Sequence, residues 1–463
     1  MDATPNAARL ARNTFLIAAI GGYITTLDLS IVNVAFAEIA KTYSSASRSD
    51  IAWVVTAYNI MFGSLLVAGG KTADLLGRKR VFLAGATVFG IGSALCGLAP
   101  SLATLVAGRA LQGLGGAFLT PATLGLLLAA YPPDRRTQMV TMWGGVTALG
   151  VASGPTLGAL LIAGFGWRSA FWLNVPIVLG VIIAGRAVLH ESPRQTGTSR
   201  PDYFGASLIT IALATLALGI SQSEHWGWSD ARTIACMLLA IALVPLFTTL
   251  QRRHPNPVLD LTLFDHRSFT VANLASLCFG FAFAAMFLNN VLFLRTLWHY
   301  SVLEAGFASC IAPITVAVVS PRAGKLASRR GFRLLLIVGP LFYAASVIAN
   351  ATLLSTRPSI ALWLISGVVL GIGVGCTLPV LSSAAVSTLE PHRFAVGGAV
   401  NNTFRQIGAV LGVAILVAVL GHPKSSAQSL TSFRRGWWLG AALAIAATLI
   451  STQQPRRPHP RNS

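Results

Sequence analysis

Apolar runs repeat along almost the whole of this 463-residue chain, separated only by short polar breaks. They fall at 14–37, 51–70, 81–98, 102–129, 137–164 and 169–189, then at 203–221 and 232–249. Six more follow at 268–297, 303–320, 332–353, 359–385, 396–420 and 434–451. About 20 apolar residues in a helix cross the hydrocarbon core of a bilayer. In lipid the backbone must satisfy its own hydrogen bonds, which an α-helix does. The pattern therefore predicts an all-α integral membrane protein with fourteen transmembrane helices. Composition agrees, because only 10% of residues are charged and 54% are hydrophobic. An ordinary soluble domain carries about 25% charged residues. Fourteen helices fill the length and leave no room for a separate catalytic domain, so an enzyme is not expected.

The most polar linkers, 190–202 and 250–267, bracket the seventh and eighth runs. They divide the chain into an N-terminal six-helix bundle (1–190), a linker with two additional helices (191–265), and a C-terminal six-helix bundle with a basic tail (266–463). The first run carries Asp28 and Asn33 deep inside and ends in no small-residue cleavage site, so it reads as a retained span rather than a secretory signal. An even number of spans puts both termini on one side. On that side lie 23 Lys and Arg, against nine on the other, with Arg109 and Arg405 inside spans. Basic residues in short loops mark the cytoplasmic face. The expected location is a cytoplasmic (inner) membrane, with both termini in the cytoplasm.

The same distribution accounts for the formal net charge of +20. No basic stretch is interleaved with aromatics as strand-binding grooves require, so no nucleic-acid partner is expected. The five cysteines lie scattered in apolar runs without metal-ligand spacing, and act there as small hydrophobes. The histidines sit in or near loops. No metal and no cofactor is expected. No G-x-x-x-x-G-K-[ST] phosphate loop occurs, so ATP is not the expected energy source.

An internal repeat supports the two-bundle reading. Gly70-Lys71-Thr72-Ala73-Asp74-Leu75-Leu76-Gly77-Arg78-Lys79-Arg80 follows the second run, and Gly324-Lys325-Leu326-Ala327-Ser328-Arg329-Arg330-Gly331 follows the tenth. Two six-helix halves related in this way are the repeat logic of a secondary transporter. The first copy also resembles the signature loop of the major facilitator superfamily. Further stretches resemble its fourteen-helix drug/proton antiporter branch: Leu27-Asp28-Leu29-Ser30-Ile31-Val32-Asn33-Val34-Ala35, Arg109-Ala110-Leu111-Gln112-Gly113, Gly150-Val151-Ala152-Ser153-Gly154-Pro155-Thr156-Leu157-Gly158, Trp167-Arg168 through Asn174-Val175-Pro176, and Asn402-Thr403-Phe404-Arg405-Gln406-Ile407-Gly408. The second loop copy departs from the signature, with Ser328 in place of the acid. Ala159 replaces the last Gly of the antiporter motif, and Ala37 stands where the branch usually has Pro.

Asp28 is the acid clearly in mid-span. Burial disfavours the charged form of a carboxyl, so it can serve as a proton-coupling group with Arg109 as partner. The alternative is a structural hydrogen bond to a neighbouring helix. Arg405 divides between gating and packing, and Asn402 and Gln406 share its motif. Gly150, Gly154 and Gly158 share one helix face and admit close helix approach, while Pro155 favours a kink. These describe either a bending antiporter helix between the halves or ordinary membrane packing. Gly70, Asp74, Gly77, Arg78 and Lys79 form a cytoplasmic gating loop. Trp53, Tyr58, Asn59, Gln112, Asn289 and Asn290 are candidate substrate-cavity residues, with interfacial or interhelical packing as the alternative.

The resemblance implies a proton-coupled exporter of lipophilic or amphipathic compounds, working by alternating access as a monomer. A dedicated exporter of a metabolite, siderophore or lipid on the same fold is the second reading. Partners would be a small-molecule substrate, protons and the bilayer, with a periplasmic adaptor protein open.

Overall fold

The computed structural model describes residues 5–191, 202–254, 257, 259–389, 394–421 and 425–455. The basic tail beyond 455 and most of the 190–202 linker lie outside them. Among the described residues all regular structure is helical. The first seven helices are α1 (Pro5–Thr42), α2 (Arg48–Leu76), α3 (Arg78–Leu98), α4 (Leu102–Ala130), α5 (Pro133–Phe165), α6 (Ser169–Trp172) and α7 (Asn174–Val188). Two more are α8 (Tyr203–Trp226) and α9 (Ala231–Arg253). The rest are α10 (Arg267–Thr296), α11 (Val302–Ser309), α12 (Ile311–Arg330), α13 (Arg333–Leu353), α14 (Ile360–Val386), α15 (Phe394–Leu420) and α16 (Ser426–Ser451).

Helix ends follow local chemistry. Ser47 and Asp50 form a reciprocal capping box at the start of α2, and Ser301 and Glu304 do the same for α11. Each arrangement satisfies two otherwise orphaned backbone donors. Gly77 ends α2 with φ at 106°, and Gly331 ends α12 with φ at 85°. L side chains rarely adopt that backbone, so the two loop copies turn at the same glycine.

Twelve helices, counting α6 with α7 and α11 with α12 as single spans, are long and apolar enough to cross a membrane, and bent α5 makes a thirteenth. The fourteen expected from sequence exceed this count. The difference lies in α16, whose Arg434 and Arg435 dilute an otherwise apolar helix. In α5 the segments Met142–Val151 and Ser153–Phe165 are bent by 41° just before Pro155. A proline inside a helix removes one backbone bond and clashes with the preceding turn.

Two compact units emerge, Met1–Ile211 with Leu246–Val258, and Ala212–Pro245 with Leu259–Ser463. Within the first, α1 packs on α5 while α2 and α3 pack on α4. Within the second, α10 packs on α15 while α12 and α13 pack on α14. The glycines at the crossings match as well. A Cβ on Gly115 of α4 would strike Gly85 and Phe89 of α3, and one on Gly373 of α14 would strike Gly339 and Tyr343 of α13. The repeat seen in the loops therefore extends into the helix crossings, where absent side chains let backbones approach.

Candidate functional site

The first unit encloses a charged cluster. Asp28 on α1 is 1% exposed and Arg109 on α4 is 0% exposed. Arg109 Nη1 donates to Asp28 Oδ2 at 2.5 Å and to Gln112 Oε1 at 2.8 Å. Its Nε donates to the Val54 carbonyl of α2 at 2.9 Å. The other carboxylate oxygen of Asp28 accepts from Gln112 Nε2 at 3.1 Å and from Asn174 Nδ2 at 2.8 Å. Ser93 of α3 accepts from Gln112 at 2.6 Å and from Asn174 at 3.3 Å. The guanidinium lies 4.4 Å from the centroid of the Tyr58 ring, a distance at which the ring face attracts a cation.

Five helices thus converge on one carboxylate–guanidinium pair. Opposite charges out of water attract strongly, and breaking such a pair leaves a buried charge uncompensated. Three buried polar atoms in the cluster have no partner: Arg109 Nη2, Tyr58 Oη and Asn174 Oδ1. The site therefore retains two donors and an acceptor beyond those its own bonds use.

The structure brings Asp28, Arg109, Gln112 and Tyr58 together. Asn59 is buried one residue beyond Tyr58, and Trp53 is half-buried on the same helix. Asn289 and Asn290 sit elsewhere, between α10 and α16 of the second unit. Asn289 donates to the Phe433 carbonyl at 3.3 Å, and Asn290 accepts from Trp437 Nε1 at 2.8 Å. Both contacts join α10 to α16. Ser93 and Asn174 are the cluster members that the sequence did not single out. Asn174 stood inside the Trp167–Pro176 stretch, which was the available signal, whereas nothing distinguished Ser93.

Gly150, Gly154 and Gly158 face α1. A Cβ on Gly150 would strike Thr26 and the Tyr23 carbonyl, and one on Gly154 would strike Ser30. Thr26 and Ser30 donate across the contact to the Thr147 and Val151 carbonyls at 2.9 and 3.1 Å. The motif helix is thereby bound to α1, which carries Asp28.

In the loop, Arg78 pairs with Asp74 at 3.1 Å and donates to the Gly125 carbonyl of α4 at 2.9 Å. The Glu191 carboxylate accepts from the backbone amides of Lys79 and Arg80 at 3.0 and 3.2 Å. It thereby meets the donors exposed at the start of α3. A Cβ on Gly77 would lie 2.5 Å from that carboxylate. Gly70 packs loosely on Pro121, and Lys79 Nζ donates to the Arg186 carbonyl at 2.9 Å. On α15 the Arg405 guanidinium bonds Asn402 one turn away, and Gln406 is buried.

A multi-pass helical membrane protein with repeated bundles and a buried acid–base pair has the architecture of a membrane transporter. A family model described as Major Facilitator Superfamily matches residues 18–413 and 272–463, and the chain belongs to that family. It is 31% identical over 409 residues to the multidrug resistance protein Stp of Mycobacterium tuberculosis, covering 88% of this chain and 75% of that one. It is also 31% identical over 432 residues to the methylenomycin A resistance protein of Streptomyces coelicolor, covering 93% and 87%. The crystal structure of an auto inhibited POT family peptide transporter shares the fold, with a TM-score of 0.72 at 15% identity over 98% of this chain and 99% of that one.

Proposed function

We propose that the protein is a proton-coupled exporter of lipophilic or amphipathic small molecules, working by alternating access in the cytoplasmic membrane. The observation that carries this reading is the enclosed Asp28–Arg109 pair. A carboxylate that gains a proton weakens its hold on the guanidinium, and one that loses it restores that hold. Three neighbouring helices feel the change through Gln112, Asn174 and the Val54 carbonyl. A membrane potential of 100 mV is worth about 2.3 kcal/mol per charge, which sustains roughly a 50-fold substrate gradient.

On this reading α5 and α16 complete fourteen spans, with both termini cytoplasmic. The chain then divides into bundles at 1–190 and 266–463 around the additional pair in 191–265, and acts as a monomer. Loop residues Gly70 to Lys79 steady one conformation, and the α5 glycines limit leak. Both relatives are named for resistance, which a transporter of this family would supply by efflux. The methylenomycin A resistance name favours the second reading, a dedicated exporter of one compound class.

The test is proton-gradient-driven efflux from proteoliposomes. Wild-type protein should concentrate a lipophilic dye against its gradient, and Asp28→Asn should not, while inserting normally. Undiminished efflux by Asp28→Asn would remove the coupling role. A broad panel of exported compounds supports the first reading, and a single exported class the second.

A further inference from the structure

Arg405 sits near the middle of α15, a helix long and apolar enough to cross a membrane. Its backbone packs against Gly280, at the middle of α10, where an added Cβ would come within 3.1 Å of the Arg405 Cα. Its side chain is partly exposed. The guanidinium makes one side-chain bond, from Nη2 to Asn402, and carries five N–H donors in all. Arg109 has an enclosed unpartnered nitrogen, but Arg405 does not. Its remaining donors therefore reach accessible space rather than protein.

Among the described residues no acid pairs with this cation. The helices that pack on α15 are α10, α14 and α16. None of these three, nor α15 itself, contains an Asp or Glu. Asp260 and Asp265 lie before α10, where Asp265 is exposed. A charged side chain within the bilayer faces a bundle interior or a water-filled cavity, because hydrocarbon cannot solvate it. Among the described residues, the second unit thus presents a charged fork of donors without an acid partner, midway along an apolar helix long enough to cross a membrane.

We propose that Arg405 binds an oxyanion group, tested here as a carboxylate, on the exported molecule. The substrate class is then amphipathic compounds with a negative group on an apolar frame, and purely cationic compounds are disfavoured. Asn402 holds the guanidinium from one side and orients its free edge. Exchange of an entering proton for a leaving anion moves charge in one sense in both steps. An inside-negative potential therefore drives each of them. The proposal rests on the exporter reading above and names its substrate.

The experiment measures binding of rhodamine B and of its ethyl ester, which differ only at the carboxylate, to purified full-length protein by fluorescence anisotropy. Wild type should bind the carboxylate form about tenfold more tightly, as one charge-assisted contact allows. Arg405→Gln should bring the ratio close to one while ester affinity changes by less than about twofold. Arg405→Lys, a point charge without the fork, should keep part of the preference. A wild-type ratio near one, or an unchanged ratio in Arg405→Gln, overturns the proposal. Should Arg405→Gln fail to fold, the wild-type ratio and its reduction in Arg405→Lys decide. Binding needs no proton gradient, so a preserved ratio without gradient-driven efflux would overturn the exporter reading and leave this site standing.

Discussion

The two units bury arginine in opposite ways. In the first, Arg109 is enclosed and tied to Asp28, Gln112 and a backbone carbonyl. In the second, Arg405 is half-open and bonded to an amide. The scaffolding around them is alike. Gly150 and Gly154 of α5 press on α1, and Gly408 and Gly412 of α15 press on α10. Where Ser93 of α3 accepts from Gln112 of α4, Ser346 of α13 donates to the Ser366 carbonyl of α14 at 2.8 Å. On the α10–α15 contact, Asn401 donates to Asn273 and Ser276 at 3.3 and 2.8 Å. One copy surrounds a charge pair and the other uses neutral hydroxyls and amides. The repeat reproduces helix crossings, while charge chemistry is added to one copy without disturbing them.

The sharpest way to break this contrast is to remove each arginine's partner. Asp28→Ala strands Arg109 in an enclosed site and should lower stability by about 3–5 kcal/mol. Asn402→Ala should lower it by about 1 kcal/mol, the typical worth of one hydrogen bond. Thermal unfolding in detergent measures both, and equal losses would erase the distinction. A smaller effect is expected at the crossings. Gly154→Leu and Gly408→Leu should each cost about 1–3 kcal/mol through overpacking and impair export more than membrane insertion. Normal transport by either variant would show that the two crossings are not equivalent. The smallest effect concerns the loops. Asp74→Asn removes the Arg78 pair and should slow transport several-fold with substrate affinity within about twofold, since a half-exposed pair contributes only ~0–1 kcal/mol. Ser328→Ala should leave the rate unchanged. Initial rates and dye binding in one preparation check both.

Hydrophobic runs located every long helix, because spanning a bilayer imposes length and composition together. Helix ends were less legible. α1 runs from Pro5 to Thr42, well beyond the apolar run at 14–37, since polar residues near the surface continue a helix without adding hydropathy. The breaks at Leu173 and Cys310, which separate α6 from α7 and α11 from α12, fall within single apolar runs. Pro176 and Pro313 follow them closely, but a proline inside a run as often bends a helix as ends it. At the site, Asp28 and Arg109 stood out because charge is costly in hydrocarbon. Ser93 is an ordinary helix residue, and only the close approach of α3 to α4, where Gly92 meets Gln112, makes it a partner. Asn289 and Asn290 drew notice as amides, yet a neutral amide serves packing and recognition equally well, so residue type alone left them open.

Every side chain that bonds Asp28 does so as a donor: Arg109, Gln112 and Asn174 all offer N–H. A proton on that carboxyl turns one acceptor into a donor, and two donors cannot face each other. The new donor needs an acceptor, and the Asn174 amide supplies one by a half-turn about its last side-chain bond. Its oxygen has no other engagement, and its nitrogen gives up only a 3.3 Å bond to Ser93, whereas Gln112 would lose a 2.8 Å bond from Arg109 and a 2.6 Å bond to Ser93. The orientation of one amide would then record whether the carboxyl is loaded. Infrared difference spectra of protein with isotope-labelled asparagine could read that record directly, with no transported molecule present.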